Sequence, residues 1–281
     1  MNGIFIIRKE KGYTSHDVVA VMRGILHTKK VGHTGTLDPD AEGVLPVCVG
    51  TATKAADMLT DADKEYIARV KLGMVTDTQD ITGTVLERHP VTVSEEQIRA
   101  AAQTFLGEID QIPPMYSAVK IDGKKLYEYA RAGKEVERKP RRVTIEHIAV
   151  SEVSGDEFTL QVRCSKGTYI RTICHDLGQL LGCGGCMSAL TRTRASGFTL
   201  EQAVTLKELE QAMEQGRAEQ LLVPVDELFA AYPAFTANEE IATRLGNGAP
   251  STVHVPKGNY RVYDENGAFL CVAEVVDYHR R

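Results

Sequence analysis

The sequence contains no apolar run long enough to cross a bilayer, which takes about 20 residues. Its first residues, MNGIFIIRKEKG, place charges directly behind a short apolar stretch, without the small-residue cleavage pattern of a secretory signal. We therefore expect a cytoplasmic protein that does not enter a membrane. The six cysteines are scattered along the chain, and in that compartment we expect them to be reduced thiols.

Common nucleotide-binding and nucleophile motifs are also missing. The chain has no G-x-x-x-x-G-K-[ST] phosphate loop, no G-x-G-x-x-G fingerprint and no G-x-S-x-G elbow. Internal repeats and low-complexity segments are absent as well. These absences remove the classes of enzyme that depend on such motifs.

Two candidate metal sites are incomplete. DPDAEG, residues 38–43, has acids and a glycine at calcium-loop spacing, but the twelfth position is Val49 instead of a bidentate glutamate. CGGC, residues 183–186, has the spacing of a zinc or redox pair, yet no second pair follows. Only Cys174 and His175 lie nearby in the sequence. We interpret CGGC as a glycine-rich turn and expect neither a metal nor a cofactor.

The charge is acidic overall but uneven. The net charge of −5 argues against a nucleic-acid partner, because phosphate binding requires a positive surface. Against this average stand Lys29 with Lys30, KIDGKK at residues 120–125, and KEVERKPRR at residues 134–142. One such cluster alone is typical of a solvated face. Three on an acidic chain indicate a local positive surface.

Apolar periodicity predicts an irregular mixture of strands and helices. Thr14 with Asp17, and Ser94 with Gln97, have capping-box spacing and each predicts a helix start. Further helices are predicted in KKLYEYARAG, ending at Gly133, and in TYIRTICHDLGQLLG. The predicted strands are GIFIIRK, VLPVCVG, KEYIARVKLG, RVTIEHIAV and EFTLQVRCS. Without a regular βαβ rhythm, the pattern favours an α+β fold with a mixed, largely antiparallel central sheet and flanking helices.

The composition changes near residues 223–233. Beyond it lie a short predicted helix and short alternating segments, so we divide the chain into a large domain, 1–228, and a small β-rich C-terminal module, 229–281. Within the module, Asn266-Gly267 predicts a hairpin with a type I′ turn, in which both residues have positive φ.

The loop GHTGTLDPDAEGVLPVCVG, residues 32–50, is rich in glycine, threonine and acids. Asp38 precedes a proline, as in many Asx turns, and taken alone it is more typical of a turn than of a catalyst. The loop resembles the signature G-H-x-G-x-L-D-P-x-A-x-G-[VM]-L of the TruB-type tRNA pseudouridine synthases. The resemblance continues, in the family's order, through DKEYIARVKLGMVTDTQD, PPMYSAVKIDGKKLYEYARAGKEVER and CSKGTYIRTICHDLG.

This resemblance implies an isomerase that converts uridine to pseudouridine at position 55 in the T-arm loop of tRNA, by base flipping and an aspartate nucleophile. It implies that Asp38 is the nucleophile and that Arg171 is the arginine that pairs with this aspartate. Tyr66 would stack on the target base and is also a candidate general base. The remaining substrate-binding residues that it implies are His33, Tyr169, Leu190 and Lys9. The lysine motif departs from the family, since Glu10 replaces a proline.

The basic segment near residues 124–142 fits a loop that clasps the RNA. The residues expected to contact the RNA backbone are Lys124, Lys125, Arg138, Lys139, Arg141 and Arg142. Glu135 and Glu137 are too few to pair all the cations of residues 134–142. The C-terminal module resembles a small PUA-like RNA-binding domain, and we expect a monomer.

Elementary chemistry agrees with the resemblance. The isomerisation breaks an N-glycosidic bond and forms a carbon–carbon bond without net redox change, and a carboxylate that attacks and then leaves divides it into easier steps. Arg171 would keep Asp38 ionised. The alternative is a non-catalytic RNA-binding or tRNA-folding protein on the same scaffold. Such a protein would keep the basic clusters but lose the aspartate or its arginine, and both are present here. Asp40 and Glu42 are interpreted as solvated loop acids.

Overall fold

The computed structural model describes residues 1–56 and 63–277, with six α-helices in these ranges. The helices are α1 (Ser15–Ile25), α2 (Glu95–Gln103), α3 (Leu126–Arg131), α4 (Ile170–Leu180), α5 (Leu206–Glu214) and α6 (Glu239–Gly246). The strands are β1 (Gly3–Lys9), β2 (Val31–His33), β3 (Glu42–Val49), β4 (Lys64–Leu72), β5 (Met74–Thr76), β6 (Val85–Arg88), β7 (Gly107–Gln111), β8 (Lys120–Ile121), β9 (Lys124–Lys125), β10 (Arg141–Ser154), β11 (Glu157–Cys164), β12 (Gly185–Ala195), β13 (Phe198–Thr199), β14 (Leu222–Val223), β15 (Ala234–Thr236), β16 (Gly258–Tyr263) and β17 (Phe269–Val275). None of the helices in the described ranges is long and apolar enough to span a membrane.

A ten-stranded sheet forms the centre of the molecule. Its main path is β14-β1-β3-β12-β4-β11-β10-β7, with β13 paired to β12 and β2 paired to β3. Among the strand pairs described for this sheet, only β3–β12 is parallel. The predicted α+β fold with a mixed, largely antiparallel sheet is confirmed.

Alternation of apolar residues builds the core on one face of β4. Tyr66 and Val70 point into a cluster that also receives Ile173 and Leu177 from α4. Both predicted capping boxes are present, at the starts of α1 and α2. Local sequence therefore determines these elements, and burial of their apolar faces brings them together.

Strand β12 lies at the centre of the sheet but was not predicted. Its sequence, GCMSALTRTRA, has Arg192 at a position that is fully buried. A charged residue at a core position hides the alternation typical of a strand. Cys183 lies in a bend and Gly184, with a φ of +69°, precedes β12, whereas Gly185 and Cys186 belong to the strand. No group of three or more metal-ligating side chains occurs within residues 1–56 and 63–277.

Residues 112–140, between β7 and β10, leave the sheet and carry β8, β9 and α3; we call them the insertion. Backbone hydrogen bonds fold the insertion back on itself, from Tyr127 N to Ser117 O at 3.1 Å and from Leu126 N to Val119 O at 2.8 Å. Leu126, the first residue of α3, is fully buried.

The C-terminal module contains a separate three-stranded sheet, β15-β16-β17. The predicted hairpin is present between β16 and β17, but the predicted turn type is wrong: Gly267 has a φ of +81°, whereas Asn266 is not in the left-handed region. The side chain of Asp264 stabilises a different turn: its Oδ1 accepts hydrogen bonds from the backbone N–H groups of Asn266 and Ala268 at 2.9 and 2.8 Å. The boundary at residue 228 stays a prediction. Tyr263 donates across it to Asp226 at 2.7 Å.

Candidate active site

Asp38 lies in the loop between β2 and β3. The side chain of Lys9, at the end of β1, is hydrogen-bonded to the backbone of this loop. Lys9 is 1% exposed, and its ammonium donates to the carbonyls of Glu10, Pro39 and Ala41 at 2.5 to 3.1 Å. An ammonium has three donors, so all are used. Burial lowers the pKa of Lys9 to about 8, against the opposing effect of Asp38. This position makes Lys9 a support of the loop, and it does not present Lys9 to a substrate.

The turn between β1 and α1 holds the same loop from the other side. Ser15 Oγ accepts the backbone N–H of Leu37 at 2.9 Å, and Gly12 N donates to Pro39 O at 2.9 Å. The loop is thereby fixed on both flanks of Asp38, which limits the orientations of the carboxylate. Asp40 is exposed, as expected. Glu42 instead begins β3, where its carboxylate accepts a hydrogen bond from Thr191 at 3.2 Å.

Arg171 joins Asp38 to a second carboxylate. Its Nη2 lies 2.7 Å from Asp38 Oδ2, and its Nη1 lies 3.6 Å from Asp80 Oδ2. The arginine side chain is 7% exposed, against 40% for the side chain of Asp38. Burial raises the pKa of Asp38, while Arg171 acts in the opposite direction and Asp80 adds to the rise. The structure thus gives one carboxylate that is open to a ligand and paired to a buried guanidinium.

Asp80 was not identified from the sequence. Thr78 and Thr82 fix it, since both hydroxyls donate to Asp80 Oδ1, at 2.9 and 2.6 Å. The T-x-D-x-T spacing is a signal for such a self-contained turn. Nothing in the sequence alone shows that the turn faces Arg171.

Two cavities adjoin Asp38. One, of about 400 Å³, is lined by Tyr66, Tyr169 and Leu190 among others, so the structure brings together three of the expected substrate-binding residues. The other, of about 390 Å³, is lined by Asp80 and by groups of the insertion. Both volumes fall in the range of small-ligand sites, and the first combines aromatic walls with a carboxylate.

Tyr66 contacts a second arginine that sequence reasoning missed. Arg192 is 1% exposed; its Nε donates to Val44 O at 2.7 Å and its Nη2 to Gly35 O at 3.2 Å. Burial raises the pKa of the Tyr66 phenol, and the charge and hydrogen bond of Arg192 oppose that rise. The phenol therefore carries its proton at neutral pH in the resting protein.

Tyr169 is positioned through its backbone by Gln111, the last residue of β7. The Gln111 amide donates to Tyr169 O at 3.0 Å and accepts from Tyr169 N at 2.8 Å. Gln111 is 3% exposed, so water does not compete for these bonds. Because Tyr169 is the N-cap residue of α4, the same contact sets the start of the helix that carries Arg171.

We expect Gln111→Met to lower the free energy of unfolding by about 1–3 kcal/mol, because it leaves the partly buried backbone N–H of Tyr169 without its acceptor, whereas Tyr169 O keeps the helix hydrogen bonds from Thr172 N and Ile173 N. Misplacement of the Tyr169 ring should also slow product formation by about 10- to 100-fold at saturating enzyme. Gln103→Met is the matched control, since Gln103 makes one such bond, to Ile148 O at 3.0 Å, outside the cavities. A loss of stability with an unchanged rate would limit Gln111 to a structural role.

His33 lies beside the Asp38 loop but does not line either of the two cavities next to Asp38. Burial lowers its pKa to about 4, so the ring is neutral at neutral pH. Its Nδ1 accepts the backbone N–H of Gly35 at 3.3 Å, which leaves the proton on Nε2. The ring meets His16 edge-on, with centroids 5.2 Å apart. His33 thus offers one hydrogen-bond donor, Nε2–H, at the end of β2, where the Asp38 loop begins.

The insertion places two cations around an aromatic ring. Lys125 Nζ lies 5.3 Å and the Arg131 guanidinium 5.2 Å from the centroid of the Tyr127 ring. Tyr127 and Tyr116 line both cavities, so the insertion stands over Asp38. Lys124 is exposed.

The remaining basic residues differ in their pairing. Arg142 forms ion pairs with Asp110 at 2.7 Å and Glu108 at 3.2 Å, both on β7, which the sequence alone did not predict. Arg138 pairs with Glu135 and donates to Pro113 O. Lys139 and Arg141 are exposed, without an ion pair in the part of the chain that the structure describes. The positive surface is therefore narrower than the sequence indicated.

Comparison with known proteins identifies relatives along the whole chain. The model of the TruB family pseudouridylate synthase N-terminal domain matches residues 23–170. The model of the tRNA pseudouridylate synthase B C-terminal domain matches residues 171–230. A curated relative named tRNA pseudouridine synthase B, from Alkaliphilus oremlandii, is 55% identical over 226 residues, which cover 80% of this chain and 75% of the relative. Its namesake from Ectopseudomonas mendocina is 47% identical over 282 residues, covering 99% and 92%.

Solved structures share the fold. A chain of a Cbf5-Nop10-Gar1 complex superposes with a TM-score of 0.74 at 28% identity, over 97% of this chain and 78% of that chain. A chain of an H/ACA RNP bound to a substrate RNA containing 2′-deoxyuridine gives 0.72 at 26% identity, over 97% and 77%.

Proposed function

The chain belongs to the TruB family of pseudouridylate synthases, and from the geometry of its site we propose that it isomerises uridine to pseudouridine in the T-arm loop of tRNA. Isomerisation of uridine in tRNA follows from the family and its relatives. The T-arm, the flipped base and the roles of individual residues are our proposal. The observation that carries it is the Asp38–Arg171 pair at 2.7 Å, at the wall of an aromatic cavity.

Asp38 serves as the nucleophile. Its ionised carboxylate forms a transient bond with the flipped nucleotide, and the bond between N1 and C1′ breaks. The uracil then turns so that C5 bonds to C1′, and the bond to Asp38 breaks, which returns the free carboxylate. The proton lost from C5 is balanced by the proton gained at N1. Arg171 stabilises the carboxylate in its charged form, and Asp80 orients the guanidinium from the far side.

The aromatic cavity receives the base. A uridine inside a folded RNA arm must leave its stack to reach the carboxylate of Asp38 beside the cavity, and an aromatic wall compensates the lost stacking. Tyr66 and Tyr169 supply rings, and Leu190 supplies an apolar edge. Tyr66 is also the candidate acceptor of the C5 proton, with its own phenolic proton going to N1 of the detached uracil; burial, which raises the pKa of the phenol, opposes the loss of that proton.

A direct assay tests the proposal. Purified protein is incubated with an unmodified tRNA transcript, and pseudouridine is mapped by position. We expect modification at one uridine of the T-arm loop. A matched transcript with cytidine at that position should remain unmodified. Binding without any pseudouridine would favour the alternative, a non-catalytic RNA-binding or tRNA-folding protein on this scaffold. No finding favours that alternative.

RNA binding should depend on salt through the unpaired cations of the insertion and β10. Each phosphate contact contributes about 0.9 to the slope of log affinity against log salt for a duplex, and about 0.7 for a single strand. We therefore expect Lys139→Ala/Arg141→Ala to flatten the slope by about 1.4–1.8 and to weaken binding. Arg142→Ala should change the slope less, because two carboxylates already hold its charge. Binding is measured by filter retention across a salt series.

The control for net charge is Lys207→Ala/Arg217→Ala, which removes two exposed cations elsewhere. Its slope should match that of the wild type. Equal flattening in both double variants would mean that overall charge, and not contact by the basic segment, governs the salt dependence.

Three further features complete the proposal. The C-terminal module, with its three-stranded sheet, acts as a PUA-like RNA-binding domain. The protein works as a monomer in the cytoplasm. It uses no metal or diffusible cofactor, since the carboxylate of Asp38 supplies the nucleophile and the ligand sets at residues 38–43 and 183–186 are incomplete.

A further inference from the structure

Ser117 carries a buried hydroxyl that has no hydrogen-bond partner. The residue is 5% exposed, and its Oγ is one of three buried side-chain atoms without a partner in the described ranges, with His175 Nδ1 and Ser251 Oγ. Buried polar groups are normally paired, and one left unpaired destabilises the fold. An orphan of this kind at a ligand site indicates a partner that arrives with the ligand.

Its location is the wall of the aromatic cavity next to Asp38. Ser117 belongs to the insertion, and the other walls include Tyr66, Tyr169 and Leu190. The position is fixed, because Ser117 O accepts the backbone N–H of Tyr127 at 3.1 Å. The unpaired hydroxyl is therefore not the chance result of an unanchored loop.

The cavity offers surfaces for stacking, and the Ser117 hydroxyl adds a group that can hydrogen-bond the polar atoms of a nucleotide. Any base can stack on the rings of Tyr66 and Tyr169 and pack against Leu190. Stacking alone, however, does not distinguish bases by the hydrogen-bonding groups on their edges. A uridine presents one N–H donor, two carbonyl acceptors and the ribose hydroxyls. A serine hydroxyl both donates and accepts, and rotation about Cα–Cβ gives it three staggered directions.

We propose that Ser117 is a substrate-binding residue whose hydroxyl, turned into the cavity by rotation about Cα–Cβ, hydrogen-bonds the flipped uridine. This rests on the proposed function. The free protein keeps the hydroxyl unpaired and so gives up some stability, and the bound nucleotide supplies the missing partner. Hydrogen bonds of this kind discriminate a polar base edge or ribose from a merely stackable ring.

Ser117→Ala separates this role from a structural one. Because the wild-type hydroxyl has no partner to lose, the melting temperature should stay the same or rise. Affinity for unmodified tRNA, measured at equilibrium with Asp38→Asn as the background to prevent turnover, should fall by about 3- to 10-fold. Ser117→Cys, which is slightly larger and donates weakly, should follow Ser117→Ala in affinity.

Ser251→Ala is the matched control, since it removes the other unpartnered serine hydroxyl, in the C-terminal module. It should leave affinity unchanged. A transcript with 2′-deoxyuridine at the target position then identifies the bonded group. If the effect of Ser117→Ala disappears on this RNA, the hydroxyl binds the ribose 2′-OH; if it persists, the hydroxyl binds the rest of the uridine.

Two results would overturn the inference. One is wild-type affinity and rate in Ser117→Ala. The other is a fall in melting temperature that accounts for the loss of binding. Neither touches the proposed function, which fails only if the wild-type protein forms no pseudouridine in the same transcript.

Discussion

Asp38→Asn should abolish pseudouridine formation, with a loss on the order of 10⁴-fold or more in single-turnover rate. An amide is not a nucleophile, and it also loses the charge that Arg171 holds at 2.7 Å. The fold should tolerate the change within about 1 kcal/mol of unfolding free energy, because Asp38 is 40% exposed on a loop that Lys9 and Ser15 hold independently. Pseudouridine mapping and thermal unfolding measure the two effects.

Asp40→Asn is the control, since it makes the same change two residues away at an exposed position. It should retain the wild-type rate. Turnover by Asp38→Asn near the wild-type rate would remove Asp38 from the mechanism, whereas equal losses in both variants would show that the charge of the loop matters and not one nucleophile.

The pH dependence of the wild-type rate gives a second readout of Asp38. In the proposed mechanism the ionised carboxylate is the active form, and burial raises its pKa above the ordinary 3.8. Activity should therefore be complete above the raised pKa and should fall as the pH decreases through it, at a higher pH than for an exposed aspartate.

Local signals predicted the elements that carry the site. The alternation of β4 put Tyr66 on the inward face, and the capping box at Thr14 set the start of α1. Both signals act within a few residues of the chain, so one sequence contains them in full. The site residues were predicted from the family resemblance, which rests on four motifs in the family's order. Three of the expected substrate-binding residues line one cavity, namely Tyr66, Tyr169 and Leu190.

Burial of charged groups is what the sequence did not reveal. Lys9 was expected to bind substrate and Arg192 was not singled out, but both are 1% exposed because backbone carbonyls from distant segments accept hydrogen bonds from their side chains. Likewise, the acids that pair Arg142 lie more than thirty residues earlier, on β7. Such contacts depend on tertiary structure, and no local pattern encodes them.

The same reasoning explains the error at the C-terminal hairpin. Asn266-Gly267 predicts a two-residue turn, but the carboxylate of Asp264 binds the N–H groups of the turn and allows a longer connection. An Asx interaction thus outweighed the preference of the dipeptide.

Arg171→Lys should lower the single-turnover rate by about 10²- to 10³-fold, although the charge is kept. The guanidinium reaches Asp38 and Asp80 with two different nitrogens, and a single ammonium on a flexible stem does not reproduce that fork. Asp38 would then lose its orientation, and Asp80, whose side chain is 16% exposed, would lose a charged neighbour. We also expect a lower melting temperature and nearly unchanged affinity for tRNA.

Arg69→Lys is the matched control, because Arg69 also joins two carboxylates, Glu152 and Glu157, but on the surface. Exposed pairs contribute about 0–1 kcal/mol, so rate and stability should change little. Asp80→Asn separates orientation from charge: it keeps the contact between Arg171 and Asp38 and removes the second carboxylate. If the fork acts by orienting Asp38, Asp80→Asn slows the reaction less than Arg171→Lys does, and both variants keep the wild-type affinity. A wild-type rate in Arg171→Lys would show that a point charge beside Asp38 is sufficient.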